Sequence, residues 1–566
     1  MSWILLAAMV LPLLLAPLAL HPALRWTLVL APLPALVAVV LVPIGVNLDL
    51  PWLLLGASLG LDETSRIFLL LTATVWILAA VQIVERQGVE PHAGRLRLLF
   101  LLAMAGNLWL ILARDPIGFY VGFAIMGLAS YGLIIHLGGH RRRRAGRTYL
   151  IMTLIGELAL FVALLLMVQT QGVAWSLPVT AAPDAAVIAL LLLGFGIKAG
   201  LMPLHVWLPL AYTAAPPPAA AVLSGAMSKA ALLGWLRFLP LGQVALPEWG
   251  ILFVLLGLVT LLIALGSGLL QSDPRTLLAY SSIGKAGLFA LLLGLILLDP
   301  TLAPVGVAAL TLYAAHHALV KSGLFLGLGL RDVATARPLT RGGLILLALA
   351  MAGAPLTSGA LAKYRIKPLL ESPGWVWLDL ALLLATIATG LLMLRFVWLT
   401  WPAPRASSAR RPGLDAISKT PVWSLGTWVL LVGLVSCFPF ALGDRSAWST
   451  NAGGMALALL IAAPVMLAVR QRAPGSRRWF SVRPPVDLSA RLESVLAAHV
   501  WVGRTVFARW VQAVEQVRVW LYRSAGTLQP PPPDPERCLR DWPRAGLFWL
   551  GVTVMLLLMA AWTPAG

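Results

Sequence analysis

The sequence predicts an all-α polytopic membrane protein, and three observations carry that expectation. Of its 566 residues, 60% are hydrophobic and only 11% are charged, with a mean hydropathy of +0.89; a soluble domain would hold about 25% charged residues. Apolar runs of the length a helix needs to cross a bilayer, roughly 20 residues, follow one another along most of the chain. The short alternating segments that mark a membrane β-barrel do not occur.

Taken in order, the runs lie near 2–21, 25–45, 66–84, 96–113, 116–137, 148–168, 185–211, 216–240, 249–270, 273–298, 304–330, 341–370, 376–401, 423–442, 451–470 and 544–562. The first, ILLAAMVLPLLLAPLAL, lacks a basic leader and a small-residue cleavage site, so it reads as a retained span. Basic residues alternate between the two sides. One side collects Arg86, Arg95, Arg97, the run RRRRAGR at 141–147, Arg275, Arg331, Arg337, Arg341, Arg405, Arg410, Arg411, Lys419 and the arginine-rich stretch 470–483, while the other has little beyond Arg114 and Arg445. The positive-inside rule makes the first side cytoplasmic. Both termini then face outward, and a multi-pass location in a bacterial cytoplasmic membrane is expected. The net charge of +20 is thus a topology signal, and no nucleic-acid partner is expected. Cys437 and Cys538 are far apart with no CxxC, which leaves no thiolate metal site or iron–sulfur centre in the chain.

Residues 488–523 differ from the spans. Leu492, Leu496, Val506, Trp510, Val514, Val517 and Leu521 recur at helical spacing, interleaved with Arg504, Arg509, Gln512, Glu515 and Arg518. This is the pattern of an amphipathic helix lying along the cytoplasmic interface. At about 1.5 Å per residue it would reach about 55 Å. The proline run QPPPPDPE ends it and leads to the last span.

The lysines are the informative residues. There are 7 among 42 basic residues, and six of them, Lys198, Lys229, Lys285, Lys321, Lys363 and Lys367, fall in or at the ends of apolar spans. A charge at bilayer depth costs at least about 2.5 kcal/mol on insertion scales. Arginine cannot lose its proton in a protein, whereas a desolvated lysine can. A membrane interior that loads and unloads protons therefore calls for lysine and histidine. Lys367 reads instead as snorkelling to an interface. Among acidic residues, Glu157 in LIGELALFVALLL is the clearest carboxylate inside a span. Asp379 lies near a span's outer end, and Asp62, Glu63, Asp115, Asp273 and Asp299 sit at loop edges where caps are found.

Two spans look broken. FGIKAGLMPLHVWLPLAYTAAPPP, which includes His205, has prolines after Lys198, and LAMAGAPLTSGALAKYRIKP has a Gly/Pro/Ser interruption before Lys363. Non-helical backbone at membrane depth is tolerated only in a protein interior or a wet cavity. Interrupted helices in corresponding places mark repeats around a transport path. The repeats would start at 96–113 and 249–270, five spans each.

These segments resemble the antiporter-like subunits shared by respiratory complex I, Mrp cation/proton antiporters and membrane-bound hydrogenases. The block KAGLMPLHVWLPLAYTAAPPPAAAVLSGAMSKAALLGWLR looks most like the branch that holds the B component of hydrogenase-4 and formate hydrogenlyase. DPRTLLAYSSIGKAG, HHALVKSGLFLGLG and GAPLTSGALAKY follow in the family's order, and the likeness covers roughly residues 60 to 400. The resemblance implies about fourteen core spans as two inverted five-helix repeats, plus the lateral helix and a final span. The divisions are 1–95, 96–240, 249–401, 423–470, 488–523 and 544–562. It implies a polar axis in which Lys198 matches the lysine of the first broken helix, Lys229 the bridging lysine, His317 and Lys321 the central pair, and Lys363 the terminal lysine. His317 and Lys321, four residues apart, share a helix face. His316 points elsewhere, and its simplest reading is packing with a hydrogen bond.

Two departures stand out. The family usually carries a glutamate on the fifth span, in a WE before L-x-S-Y. Here the stretch is GFAIMGLASY, and Ala124 takes that place. Glu157, one span later, is the candidate substitute partner for Lys198. Lys285 stands where the family mostly has a neutral or acidic residue. The implied function is a proton-translocating membrane subunit of a redox-driven complex, with no cofactor of its own and with other membrane subunits as partners along the lateral helix. A cation/proton antiporter module, or the membrane partner of a proton-gradient-driven inorganic-carbon accumulation complex, fits the same residues.

Overall fold

A computed structural model describes residues 2–441, apart from 55, 87–91, 172–176, 180–181, 332, 334–335, 372–375 and 401–420. The runs 451–470, 488–523 and 544–562, and the basic residues of 405–419, 445 and 470–483, lie outside the described residues.

The chain enters through α1 (Trp3–Leu18) and the split run α2 (Thr27–Leu30) and α3 (Leu33–Leu41). A short antiparallel ribbon of β1 (Asn47–Leu50) and β2 (Ala57–Gly60) follows, with Asn47 opposite Gly60. The ribbon is a departure from the all-α expectation. Its strands of four residues each are too short to register as a β pattern beside the apolar runs. Long helices come next: α4 (Glu63–Glu85), α5 (Ala93–Leu112), α6 (Pro116–Ile135) and α7 (His140–Gln171). The first interrupted span is α8 (Ala185–Ala199) and α9 (Trp207–Ala214). The span after it is also interrupted, which the apolar run 216–240 does not announce: α10 (Pro217–Val222) passes through a π turn at Leu223–Met227 into α11 (Lys229–Phe238). Then come α12 (Pro247–Leu269), α13 (Pro274–Leu298) and α14 (Ala303–Leu330). The second predicted break separates α15 (Arg337–Ala352) from α16 (Ser358–Glu371), and α17 (Val376–Thr400) and α18 (Val422–Ala441) complete the described part.

Ten helical segments among the described residues are long and apolar enough to cross a membrane. The carboxylates at loop edges act as helix caps. Asp62, Asp115 and Asp273 each accept a backbone N–H in the first turn of α4, α6 and α13, and Asp62 closes a reciprocal pair with Ser65. Satisfying these orphan donors is worth about 1 kcal/mol each. The helices α13 and α14 sit in the middle and are buried along most of their length, whereas α12 turns Leu252, Leu255, Val259, Leu262 and Ile263 outward, an apolar surface that a bilayer accommodates.

Many of the arginines have backbone partners. Arg97 donates to the carbonyls of Ala19 and Leu20 past the end of α1, Arg95 to His136 past α6, Arg142 to Ala214 at the end of α9, Arg275 to Ala215 and Arg395 to Gln271 past α12. Arg86 reaches Gly329 near the end of α14, and Arg66 reaches Val42 after α3. Each staples carbonyls at a helix C-terminus, Arg142 and Arg275 sharing the end of α9, where a cation is also favoured by the helix dipole.

The fullest case is Arg237 at the end of α11. It is 3% exposed and donates to Leu110 at 3.0 Å, Ile111 at 2.7 Å and Ala113 at 2.6 Å, the last carbonyls of α5. Its guanidinium lies 4.0 Å from Asp62, which also pairs with Arg114. Burial alone would raise the Asp62 carboxyl, but the Arg237 charge, the Ser65 hydrogen bonds and Arg114 together hold it below the usual carboxylate value.

Candidate functional site

The helix α8 ends because Gly200 adopts a left-handed conformation, φ 80° and ψ 38°, which costs a glycine nothing sterically. The unwound stretch that follows is held by side chains: Trp207 Nε1 donates to the Ile197 carbonyl at 2.7 Å, and Thr260 of α12 accepts the Met202 N–H at 3.1 Å. Lys198 sits in the last turn before this break. It is 5% exposed, its Nζ lies 3.2 Å from the Tyr149 hydroxyl of α7, and it stands 5.1 Å over the Phe123 ring and 5.5 Å over the Tyr149 ring. Two aromatic faces and a hydroxyl thus replace water around the ammonium. Tyr149 in turn donates to the Gly127 carbonyl of α6 at 2.9 Å.

Glu157 is buried on the same helix as Tyr149, with its Oε1 atom meeting no hydrogen-bond partner. Its carboxylate packs against Gly127; a Cβ at that position would overlap Glu157 Oε1. Gly127 follows Ala124 by one helical turn, so the carboxylate of α7 reaches the α6 surface one turn beyond Ala124. Glu157 is within electrostatic reach of Lys198, but the two form no direct ion pair. Tyr149 takes the lysine instead.

Lys229 opens α11 directly after the π turn. The widened turn exposes the Ser224 carbonyl, which accepts from Lys229 Nζ at 2.8 Å; Ser228 Oγ is 3.0 Å away. Single π turns inside α-helices recur at functional sites. Lys229, Ser228, Trp235, Ser282, Phe289 and His317 line one small cavity. Neither ring nitrogen of His317 has a protein hydrogen-bond partner, and Trp235 Nε1 has none either. Lys321, fully buried one turn along α14, donates to the Leu278 carbonyl of α13 at 2.6 Å.

The second break repeats the geometry of the first. Gly353 ends α15 with φ 84° and ψ 38°. Lys363 of α16 folds back against it and donates to the Ala352 carbonyl at 2.7 Å, with Thr386 Oγ1 of α17 at 3.4 Å. Lys285 of α13 lies 5.5 Å over the Tyr313 ring. His316 Nδ1 lies 2.8 Å from Ser358 Oγ. His205 lies in the first break beside Tyr280, ring centroids 6.4 Å apart. Lys367 is half exposed and pairs with Glu371. Asp379 falls on α17, and its side chain lies outside the described residues.

The structure therefore places Lys198, Lys229, Lys285, His316, His317, Lys321 and Lys363 on α8, α11, α13, α14 and α16. The lysines among them meet carbonyls, hydroxyls and aromatic faces rather than carboxylates at ion-pair distance, among the described residues. Sequence reasoning missed Tyr149, Ser358, Gly127 and the π turn. Tyr149 is an ordinary residue in an apolar span and Ser358 one residue of the second break, and only their cross-helix partners distinguish them.

Comparison with known proteins places the chain in a family. The family model described as "NADH:quinone oxidoreductase/Mrp antiporter, TM" matches residues 113–389. Hydrogenase-4 component B of Escherichia coli (strain K12) is 35% identical over 239 residues, 40% of this chain and 36% of that protein. NADH-quinone oxidoreductase subunit N of Desulforudis audaxviator (strain MP104C) is 32% identical over 425 residues, 68% of this chain and 82% of that protein. Among solved structures, a chain of the Mrp complex from Dietzia sp. DQ12-45-1b superposes with a TM-score of 0.69 at 24% identity, covering 98% of this chain and 66% of that one. That likeness is one of fold. The chain spans 36% to 53% of the length of the first curated relatives it matches.

Proposed function

We propose, from the premise that this chain belongs to the NADH:quinone oxidoreductase/Mrp antiporter membrane family, that it is a proton-translocating subunit of a redox-driven membrane complex. Protons move along a central axis of Lys198, Lys229, His317, Lys321 and Lys363, with Glu157 as the carboxylate of the first half. The observation that carries this reading is the row of buried lysines held by neutral oxygens. A lysine in an ion pair is fixed in its charged state, whereas one that donates to a carbonyl or hydroxyl can release its proton and later regain it. Relatives named as hydrogenase and NADH-quinone oxidoreductase subunits support the redox-driven assignment, and relatives named as antiporter subunits keep an antiporter module as the second reading.

The finer architecture belongs to the same proposal: about fourteen core spans as two inverted five-span repeats, 96–240 and 249–401. The left-handed glycines Gly200 and Gly353 at the two breaks support it. So do the paired close contacts at the start of each repeat, Gly106 against Gly122 in α5 and α6, and Gly257 against Gly287 in α12 and α13. The arginine-rich loops face the cytoplasm of a bacterial inner membrane, and helix 488–523 docks a neighbouring membrane subunit.

The test is proton flux into vesicles holding the complex that co-purifies with the full chain. Lys321→Ala is expected to lower flux by about two orders of magnitude, the scale on which positioned proton carriers contribute. Unchanged flux would overturn the assignment, and flux restored only by sodium or potassium would favour the antiporter reading.

A further inference from the structure

His316 and His317 are neighbours in sequence, and on α14 they leave the axis about 100° apart. His317 turns to the cavity it shares with Lys229 and Ser228. His316 turns to α16, the helix that carries Lys363, where its Nδ1 meets Ser358 Oγ at 2.8 Å. Ser358 is the first residue of α16, directly after the second break. The His316 ring packs edge-on against Tyr313, centroids 5.8 Å apart, and the same tyrosine ring lies under Lys285 at 5.5 Å. The titratable groups that surround His316 are thus Lys285 from α13, Tyr313 and His317 from its own helix, and Lys363 from α16; both lysines act on it electrostatically.

We propose that His316 is a second central proton carrier, linking Lys285 to Lys363, so that the paired histidines serve the two halves of the axis separately. This rests on the transport reading above and adds to it a residue that the family likeness does not supply.

The nature of the partner at Nδ1 is what separates a carrier from a packing residue. A backbone carbonyl would accept only, and would pin the proton on Nδ1. A serine hydroxyl donates to a bare Nδ1 and accepts from a protonated one. His316 therefore keeps its Nδ1 hydrogen bond whether neutral or charged. The balance is that of one proton. Lys285 releases it and becomes a neutral amine, and His316 holds it as an imidazolium. Lys363 ends as the ammonium, the last transfer running through the Ser358 hydroxyl and solvent water. No electrons move, and Ser358 rotates back to its starting orientation.

The experiment uses the full chain in the complex with which it co-purifies, reconstituted in vesicles with a pH-sensitive dye inside. His316→Asn retains a side chain able to bond Ser358 but cannot carry a proton, and it is expected to lower flux at least about tenfold. Ser358→Ala is expected to displace the pH midpoint of flux by about one unit, because the ring loses the partner that serves both its states. Ser358→Thr should restore the profile. Wild-type flux and pH profile in His316→Asn, alongside loss in Lys321→Ala, would overturn this proposal and leave the axis intact. Wild-type flux in Lys321→Ala would overturn the transport reading itself. If His316→Asn is not recovered folded, the serine pair decides: an unshifted profile in Ser358→Ala rules the carrier out.

Discussion

The Lys198 ammonium and the Tyr149 hydroxyl lie 3.2 Å apart, and this is the one side-chain hydrogen bond Lys198 makes among the described residues. Tyr149→Phe deletes that acceptor while leaving the aromatic face that Lys198 also uses. A single such bond is worth about 1 kcal/mol, so proton flux is expected to fall about fivefold. Lys198→Arg keeps the charge but not the ability to release a proton, and its loss should be the larger. Flux assays on both variants check the order. Equal, unchanged flux would leave Lys198 as fixed charge.

Arg237 supports a stability prediction. Replacing it with Ala strips three carbonyls at the end of α5 of their donor and leaves Asp62 with Arg114 alone. Leaving a buried acceptor without its donor costs about 1–3 kcal/mol, so thermal unfolding in detergent should shift down by several degrees. Arg237→Lys should recover little, because one ammonium cannot span three carbonyls as the planar fork does.

The same cluster sets a pH dependence. The Asp62 carboxyl is held below its ordinary value of 3.8 in the folded state. A depressed folded value means that its contribution is fully present above the unfolded value and is lost as pH falls through the folded one. Melting curves of the parent should therefore lose stability as pH drops below 3.8, and Asp62→Asn should remove part of that slope. An identical pH slope in the variant would assign the acid sensitivity to other groups.

Segment 488–523, proposed as an amphipathic helix, carries a partner prediction. Its apolar positions, and the reach of about 55 Å it would have as a helix, suit clamping along an adjacent membrane subunit. Truncation before Leu488 should release the chain from its complex while the core remains monodisperse. Stoichiometric co-purification of the truncated chain would reduce the helix to a membrane-surface element.

Much of the fold and of the lysine row is legible in the sequence, for a physical reason. Water-averse runs set the spans, and a lysine inside one is costly enough to be noticed, which is why Lys198, Lys229, Lys321 and Lys363 stand out on residue type and position alone. The two breaks are also legible, since proline and glycine announce them. The hidden features are those whose meaning lies in a pair. Tyr149 and Ser358 are unremarked until Lys198 and His316 are seen beside them. The π turn at Leu223–Met227 leaves no proline signature, although it positions the carbonyl that Lys229 uses. The arginine staples read as a topology signal because the carbonyls they reach belong to other helices.

Glu157 gives the sharpest test of how the first half works. Its carboxylate occupies the space left by the absent side chain of Gly127, one turn from Ala124, with Oε1 unpaired among the described residues. Gly127→Ala should push the carboxylate away from α6 and lower flux, even though neither residue changes charge. Glu157→Gln should lower flux about as much as Lys198→Ala. If the two act as one unit through Tyr149, the double variant should be little worse than either single one, a coupling of about 0.5–3 kcal/mol in a double-mutant cycle. Additive losses would mean that Glu157 works on its own. The decisive variant returns the carboxylate to α6. Ala124→Glu combined with Glu157→Gln should regain flux if a carboxylate near Lys198 is what the first half requires, and no recovery would show that the helix carrying the carboxylate, and not merely its charge, matters to transport.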